Sequence, residues 1–224
     1  MLQTHDLTDI VYTSGAVFNG LTTGRMDTHR FLATGSTAGV TTKPDLMLLK
    51  DLRDVAEFVV RHPDATVDAD YVVAINTLIS RTGSVDPGKL RTNDQGIGVR
   101  TKYGRHEPPA VTHGGLQDLV VSATSGTKDD VDAAIALFIR LAATQPFGDG
   151  NKRTALFAAN GLLITRGTGK LLSLPDPRSD QEPDPVAAFN DLLSRAYIHA
   201  DIDPLRAFLR HYVIDAPGRA GTVG

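Results

Sequence analysis

The sequence predicts an all-α fold with one small β-hairpin, on three observations. Apolar residues recur at helical spacing through most of the chain from Asp45 onward, two segments flanking residues 145–150 are apolar around most of their circumference, and glycine and proline punctuate a single β-prone stretch. With 224 residues and 41% hydrophobic content, the chain can bury one sizeable core.

Residues 1–44 are rich in Thr and Gly, with apolar patches at Ala16-Val17-Phe18 and Phe31-Leu32, and predict a short helix plus turns packed on the main body. Leu46, Leu49, Val55, Phe58 and Val59 predict a helix that stops by Asp64, after His62-Pro63. A second runs from Asp70 through Val73, Ile75, Leu78 and Ile79 toward Gly83. Residues 84–111 carry Gly88, Gly96, Gly98, Gly104, Pro108 and Pro109 around Gly98-Val99-Arg100-Thr101, the pattern of an exposed hairpin or flap. Helices resume at Leu116–Ser122. The run Val131, Ile135, Leu137, Phe138, Ile139, Leu141 reads as a buried central helix. Asn151–Thr165 follows after a short loop. Beyond a Pro-rich linker at 175–185 come Val186–Tyr197 and Pro204–Tyr212. The division expected is an N-terminal segment 1–44, a main domain 45–215 and a flexible tail 216–224.

Composition excludes several classes of function. A net charge of −3 argues against bulk nucleic-acid binding, since a surface that tracks phosphates is normally basic. No stretch is apolar enough to cross a bilayer, and the first residues lack a signal core. The absence of cysteine removes disulfides and thiolate chemistry and fits a cytoplasmic setting. None of the seven histidines shows metal-binding helical spacing. His62, His199 and His211 fit helix-edge, surface or cap positions. Asp129, Asp130 and Asp132 fit the start of a helix, where acidic side chains favour the dipole.

The informative segment is Gln145-Pro146-Phe147-Gly148-Asp149-Gly150-Asn151-Lys152-Arg153-Thr154, a polar loop between two apolar helices. Its chemistry is that of an anion site. Gly148 and Gly150 permit a tight turn and close approach to a ligand. Asn151 is expected as the N-cap, with the amides of Lys152 and Arg153 facing outward at the positive end of the helix dipole. Lys152 and Arg153 add full charge, and Arg grips phosphate bidentately. Asp149 is placed to hold Mg²⁺ beside phosphate oxygens, and Phe147 anchors the loop in the core. Each position alone has an ordinary explanation as part of a capped helix start; their concentration within ten residues favours the anion site. A Walker-type loop is excluded by glycine spacing.

This segment resembles the signature of the Fic/Doc family, His-x-Phe-x-(Asp/Glu)-Gly-Asn-(Gly/Lys)-Arg, departing only at the first specified position. Gly88-Lys89-Leu90-Arg91, Gly98-Val99-Arg100 and Pro108-Pro109 are similar to the family's flap. Ser14-Gly15-Ala16-Val17-Phe18-Asn19 resembles its inhibitory helix. The resemblance implies a Fic fold, a nucleotide donor such as ATP with Mg²⁺ on Asp149, and transfer of AMP or phosphate to a protein hydroxyl. It also implies a target docked on the flap around residues 88–111, as in toxin–antitoxin members.

Three departures qualify it. Gln145 stands where the family has a catalytic His; an amide does not titrate near neutrality, and losing general-base proton transfer costs about 10²–10⁴-fold. Leu156 stands where AMP-transferring members carry a second Arg, and Lys152 replaces the usual Gly; both features look like the phosphate-transferring Doc branch. Phe18 stands where self-inhibited members have a Glu, so both halves of that ion pair are missing and the usual autoinhibition is not expected. Catalytic roles thus fall by resemblance on Gln145, Asp149, Lys152 and Arg153, and phosphate contacts on Gly148, Gly150, Asn151, Lys152 and Arg153. His106 and His113, near the flap, are weak candidates for a substitute base. The alternatives to an active transferase are a catalytically silent module that binds nucleotide or phosphate, a transferase inactivated by an introduced Gln145, and, least favoured, a ligand-free helical scaffold.

Overall fold

A computed structural model describes residues 1–82, 85–127 and 129–217. The chain folds as a helical assembly around two central helices, α6 (Asp130–Thr144) and α7 (Asn151–Thr165), which pack along each other. Every residue of α7 from Arg153 to Leu163 is buried, as are eight residues of α6, including Phe138 and Leu141. Helices buried on all faces need neighbours on all faces. α5 (His113–Ser125) and α9 (Asp203–Arg210) flank α6, while α3 (Lys43–Arg61) and α4 (Ala69–Thr77) flank α7.

The predicted elements from residue 45 onward are present, and the bounds Asn151–Thr165 match the expected helix. Thr42 caps α3 by accepting the Asp45 amide, and Asp68 caps α4 by accepting that of Tyr71. Helix α4 ends earlier than expected: it stops at Thr77, because Leu78 and Ile79 turn back to bond Ile75 and Asn76 carbonyls. Its predicted end, Gly83, lies outside the described residues, as does the predicted flexible tail beyond Pro217. α8 (Pro185–His199) follows the Pro-rich linker.

Two expectations need correction. The N-terminal segment is more than one short helix: a 3₁₀ turn at Thr4–Leu7 leads into α1 (Thr8–Asn19) and α2 (Arg25–Thr34). Leu7, Ile10, Val11 and Tyr12 enter the main core, whose burial overrides the helix-weakening Thr and Gly content. The β structure is also more than one hairpin. Besides the flap hairpin, β1 (Val99–Thr101) with β2 (Gly104–His106), a second antiparallel pair joins β3 (Lys170–Leu172) to β4 (Val213–Asp215). Asn160 of α7 holds β3 through both backbone groups of Leu172, at 2.8 and 2.9 Å. Among the described residues no helix is long and apolar enough to cross a membrane.

Candidate functional site

The loop between α6 and α7 is shaped by backbone conformations that few residues tolerate. Gln145 ends α6 in the left-handed region, φ 47° and ψ 62°, with its amide bonded to the Leu141 carbonyl. For a non-glycine residue this costs on the order of 1 kcal/mol or more, which the surroundings must impose. Gly150 also has positive φ, at 75°, and a Cβ there would lie 3.1 Å from the Asn76 Nδ2 and 3.2 Å from Ile79. Both its conformation and the close approach require glycine. Gly148 differs: it has no positive φ, and its Cβ position faces open space.

Four side chains fasten this loop. Asn151 was expected as the N-cap, but Gly150 occupies that position and Asn151 is the first helical residue. Its carboxamide reaches back instead, accepting the Phe147 amide at 2.9 Å and donating to the Phe147 carbonyl at 2.8 Å. A chain that reverses at Gly150 puts residues 147 and 151 side by side, so the amide ties the turn rather than capping the helix. Asp149 Oδ1 takes the Gly150 amide at 2.6 Å. Asn76, fully buried on α4, donates to the Asp149 carbonyl and the Thr154 hydroxyl, both at 3.0 Å, and accepts the Gly88 amide at 2.9 Å. Arg91 donates to the carbonyls of Gln145 (2.6 Å), Pro108 (2.6 Å) and Pro109 (2.9 Å). Its backbone bonds Pro146, and Leu90 pairs with Phe147 as a short antiparallel bridge. Phe147 is buried in the core, as its anchoring role required.

With the loop fixed, the amides of Asn151, Lys152 and Arg153 have no acceptor among the described residues; the first helical bond of α7 runs from Thr154 to Gly150. They are the orphan donors of a helix start. In front of them lies a cavity of about 250 Å³, lined by Gln145, Gly148–Arg153, Phe18, Asn19, Ile97–Val99 and Tyr197. The predicted residues Gln145, Gly148, Asp149, Gly150, Asn151, Lys152 and Arg153 therefore share one wall.

The cationic pair is sparsely neutralised, with Arg153 buried and Lys152 half-buried. Arg153 is 2% exposed, donates to the Thr82 hydroxyl at 2.6 Å and lies 3.8 Å from the Asp149 carboxylate. Thr82 in turn donates to Asp51, a fully buried carboxylate that also takes the Arg81 guanidinium at 2.9 Å. Burial lowers the Arg153 pKa, against the pull of Asp149 and Asp51, yet arginine stays charged. The Lys152 ammonium lies 5.0 Å from the Phe18 ring centroid and has no carboxylate partner among the described residues. Burial, then repulsion from Arg153, pushes its pKa down. An anion in the cavity would relieve both costs.

Gln145 is 5% exposed, and its carboxamide makes no hydrogen bond to the described residues. It has the capacity to donate to or accept from a ligand hydroxyl, without titrating. Asp149 is the acidic residue on the cavity wall, and no cluster of three metal-ligating side chains occurs among the described residues. One carboxylate suits Mg²⁺ only when phosphate oxygens and water complete its shell.

Neither candidate substitute base lines the cavity. His106 stacks on Tyr197 with its Nε2 2.6 Å from the Ala143 carbonyl, and His113 pairs with Asp70 at 2.8 Å on the outer surface. Both are held by partners supplied by neighbouring elements. Leu156, at the position of the family's second Arg, is fully buried. Asn76, Arg91, Asp51 and Tyr197 escaped the sequence reading. Tyr197 lines the cavity; its hydroxyl is buried without a partner among the described residues, and burial pushes its pKa up.

A glycine-turned loop joining two buried helices, with free amides and two cations facing a cavity roofed by a hairpin, defines a helical domain of the Fic architecture. Residues 66–163 match the model of the Fic/DOC family. Among solved structures it is similar to a Fic domain-containing signaling protein from Bacteroides thetaiotaomicron, at 17% identity and a TM-score of 0.70, over 93% of this chain and 84% of that one. It is also similar to Fic-1 (residues 134–508) from C. elegans, at 19% identity and a TM-score of 0.59, covering 95% of this chain and 60% of that one. At these identities the likeness is one of fold. No curated protein matches the chain.

Proposed function

We propose that this protein is a Fic-type transferase that moves a nucleotidyl or phosphoryl group from ATP or a related phosphate donor to a hydroxyl, with Gln145 orienting the acceptor rather than deprotonating it. The observation that carries the reading is the set of three amides at the start of α7 without an acceptor among the described residues, beside half-buried Lys152 and buried Arg153, at the cavity that Gln145 also lines. Oriented donors in a water-poor site stabilise charge that develops on a transferring phosphoryl group. Arg153 and the amides hold the phosphate, and Lys152 leaves the Phe18 ring for it. Mg²⁺ on Asp149 would neutralise phosphate charge when bound. Gln145 fixes the approach of the acceptor, whose oxygen bonds the transferred phosphorus and whose proton goes to solvent, as pyrophosphate (nucleotidyl transfer) or ADP (phosphoryl transfer) leaves. The flap over residues 88–111 suits a protein acceptor, since a short exposed hairpin can pair with an extended segment. The cysteine-free composition fits a cytoplasmic setting.

The lack of any titratable group at Gln145 also favours a second reading, a module that binds nucleotide without turnover. Thermal shift with Mg²⁺ and a panel of nucleotides tests what both share, because a ligand bound by the fold raises the melting temperature by mass action. Labelled ATP then separates them. Transfer from α-labelled ATP reports nucleotidyl transfer, and transfer from γ-labelled ATP reports phosphoryl transfer. Label in neither case supports the silent module. Gln145→His is expected to raise transfer about 10²–10⁴-fold; no gain counts against a site built for transfer.

A further inference from the structure

A second cavity adjoins the first. It measures about 470 Å³ and is bounded by Asn19, the start of α3 (Lys43, Pro44, Met47, Leu48) and Thr82. Asn19 borders both spaces, and its carboxamide makes no hydrogen bond to the described residues. Thr82 belongs to the second space and takes the Arg153 guanidinium of the first at 2.6 Å. The exposed Asn19 and the Arg153–Thr82 bond therefore lie where the two spaces meet. The first, at about 250 Å³, falls short of the roughly 300–1,000 Å³ of organic-ligand sites; with its neighbour it reaches that range.

The compartments differ in chemistry. The first holds the amides, Lys152 and Arg153. The second presents Pro44, Met47 and Leu48, and its charges are already committed. Arg81 is bound by Asp51 and Asp54 at 2.9 and 2.8 Å, Asp45 takes the hydroxyls of Thr22 and Thr23, each at 2.7 Å, and Lys43 stands exposed at the rim. A further phosphate reaching this open space would meet Pro44, Met47 and Leu48 and, among the described residues, no unpaired cation but Lys43 at the rim, so it would gain little there. Leu156 supplies none from α7 either.

We infer that the site takes a nucleoside diphosphate esterified at its far phosphate to a second organic group, with that group against Met47 and Leu48, in preference to a nucleoside triphosphate. The inference rests on the phosphate-cradle reading above and narrows its ligand class. Calorimetric titration with Mg²⁺ and matched pairs tests it: ADP against ADP-ribose and NAD⁺, UDP against UDP-glucose, and ATP against ADP. In at least one pair the diester is expected to bind about tenfold more tightly than its parent diphosphate, the return on burying roughly 50–60 Å² of apolar surface. ATP gains less than that over ADP. Met47→Glu is expected to cancel the diester's gain, and the milder Met47→Gln serves should the charged variant fail to fold. Diphosphates that bind with no gain in any diester, a tenfold preference for ATP over ADP, or a gain that survives at Met47 overturns this inference alone. Silence with every ligand overturns the cradle reading and this one with it.

Discussion

The loop 145–150 and the hairpin β1–β2 border the same cavity, but the loop is fastened by buried side chains bonded to its backbone, while the polar ties of the hairpin tip are exposed. Asn76 and Arg91 together make seven hydrogen bonds between side chains and the loop or its approaches, from positions with almost no solvent access. The hairpin is held to α8 by Lys102 and Tyr103 on Asp191, at 2.5 and 2.9 Å, and by the His106–Tyr197 stack. Buried bonds are costly to break because each orphaned partner goes without water; exposed ones are replaced by water at little cost. The loop side is thus the more firmly held, as the proposed positioning of phosphate demands, and the hairpin side the more readily displaced, as the proposed docking of an outside chain demands.

The sharpest way to break this contrast is Asn76→Ala. It orphans the Gly88 amide and the Asp149 carbonyl and leaves the Thr154 hydroxyl unpartnered, so a loss of about 3 kcal/mol in urea unfolding is expected. A loss under about 1 kcal/mol means that the loop does not depend on this clamp. Next in size is Arg153→Gln, which removes a charge-assisted phosphate contact and is expected to weaken nucleotide binding by about 10–100-fold in titration. Unchanged affinity would remove Arg153 from the cradle.

Much of this division was legible in the chain, and the failures have physical reasons. The anion loop could be read because its glycines, cations and acid lie within ten residues, and α7 because apolar residues fill Ala155 to Ile164 except at Asn160 and Gly161. Asn76 and Arg91 could not: their partners lie as far as 78 and 54 positions away, and a lone Asn or Arg carries no sign of what the fold brings to it. Asn151 was misread for a subtler reason. Its type suits an N-cap, but the positive φ of Gly150 moves the cap one residue earlier and turns the carboxamide toward Phe147. β3 and β4, three residues each, are too short to show a period of two, and they pair across more than forty residues.

Lys152 sharpens the comparison through pH. Burial and Arg153 hold its pKa below the ordinary lysine value of 10.5, so the folded site favours the uncharged form, whereas a bound phosphate favours the charged one. Affinity for phosphate is then fully present below that lowered pKa and falls as pH rises through it, earlier than for an exposed lysine. Titrations carried upward in pH are expected to show the decline beginning below the ordinary lysine value of 10.5, and Lys152→Arg, which keeps its charge, to delay it. The same pH profile in both proteins rules Lys152 out as the titrating contact.

The smallest effect is expected on the other wall. Lys102→Ala removes the ammonium that Asp191 shares with the Tyr103 hydroxyl. An exposed pair adds little to global stability, so the melting temperature should stay where it is. Local opening is a different quantity: the β1–β2 amides exchange through motions of the hairpin alone, which few buried contacts resist. Faster hydrogen exchange confined to residues 99–106 is therefore expected in the variant, and raising the salt on the unaltered protein should move exchange in the same direction by screening the pair. If exchange instead quickens across α6 and α7, the hairpin is coupled to the core, and the division between a fixed phosphate wall and an adaptable flap fails at the His106–Tyr197 stack, where the two meet.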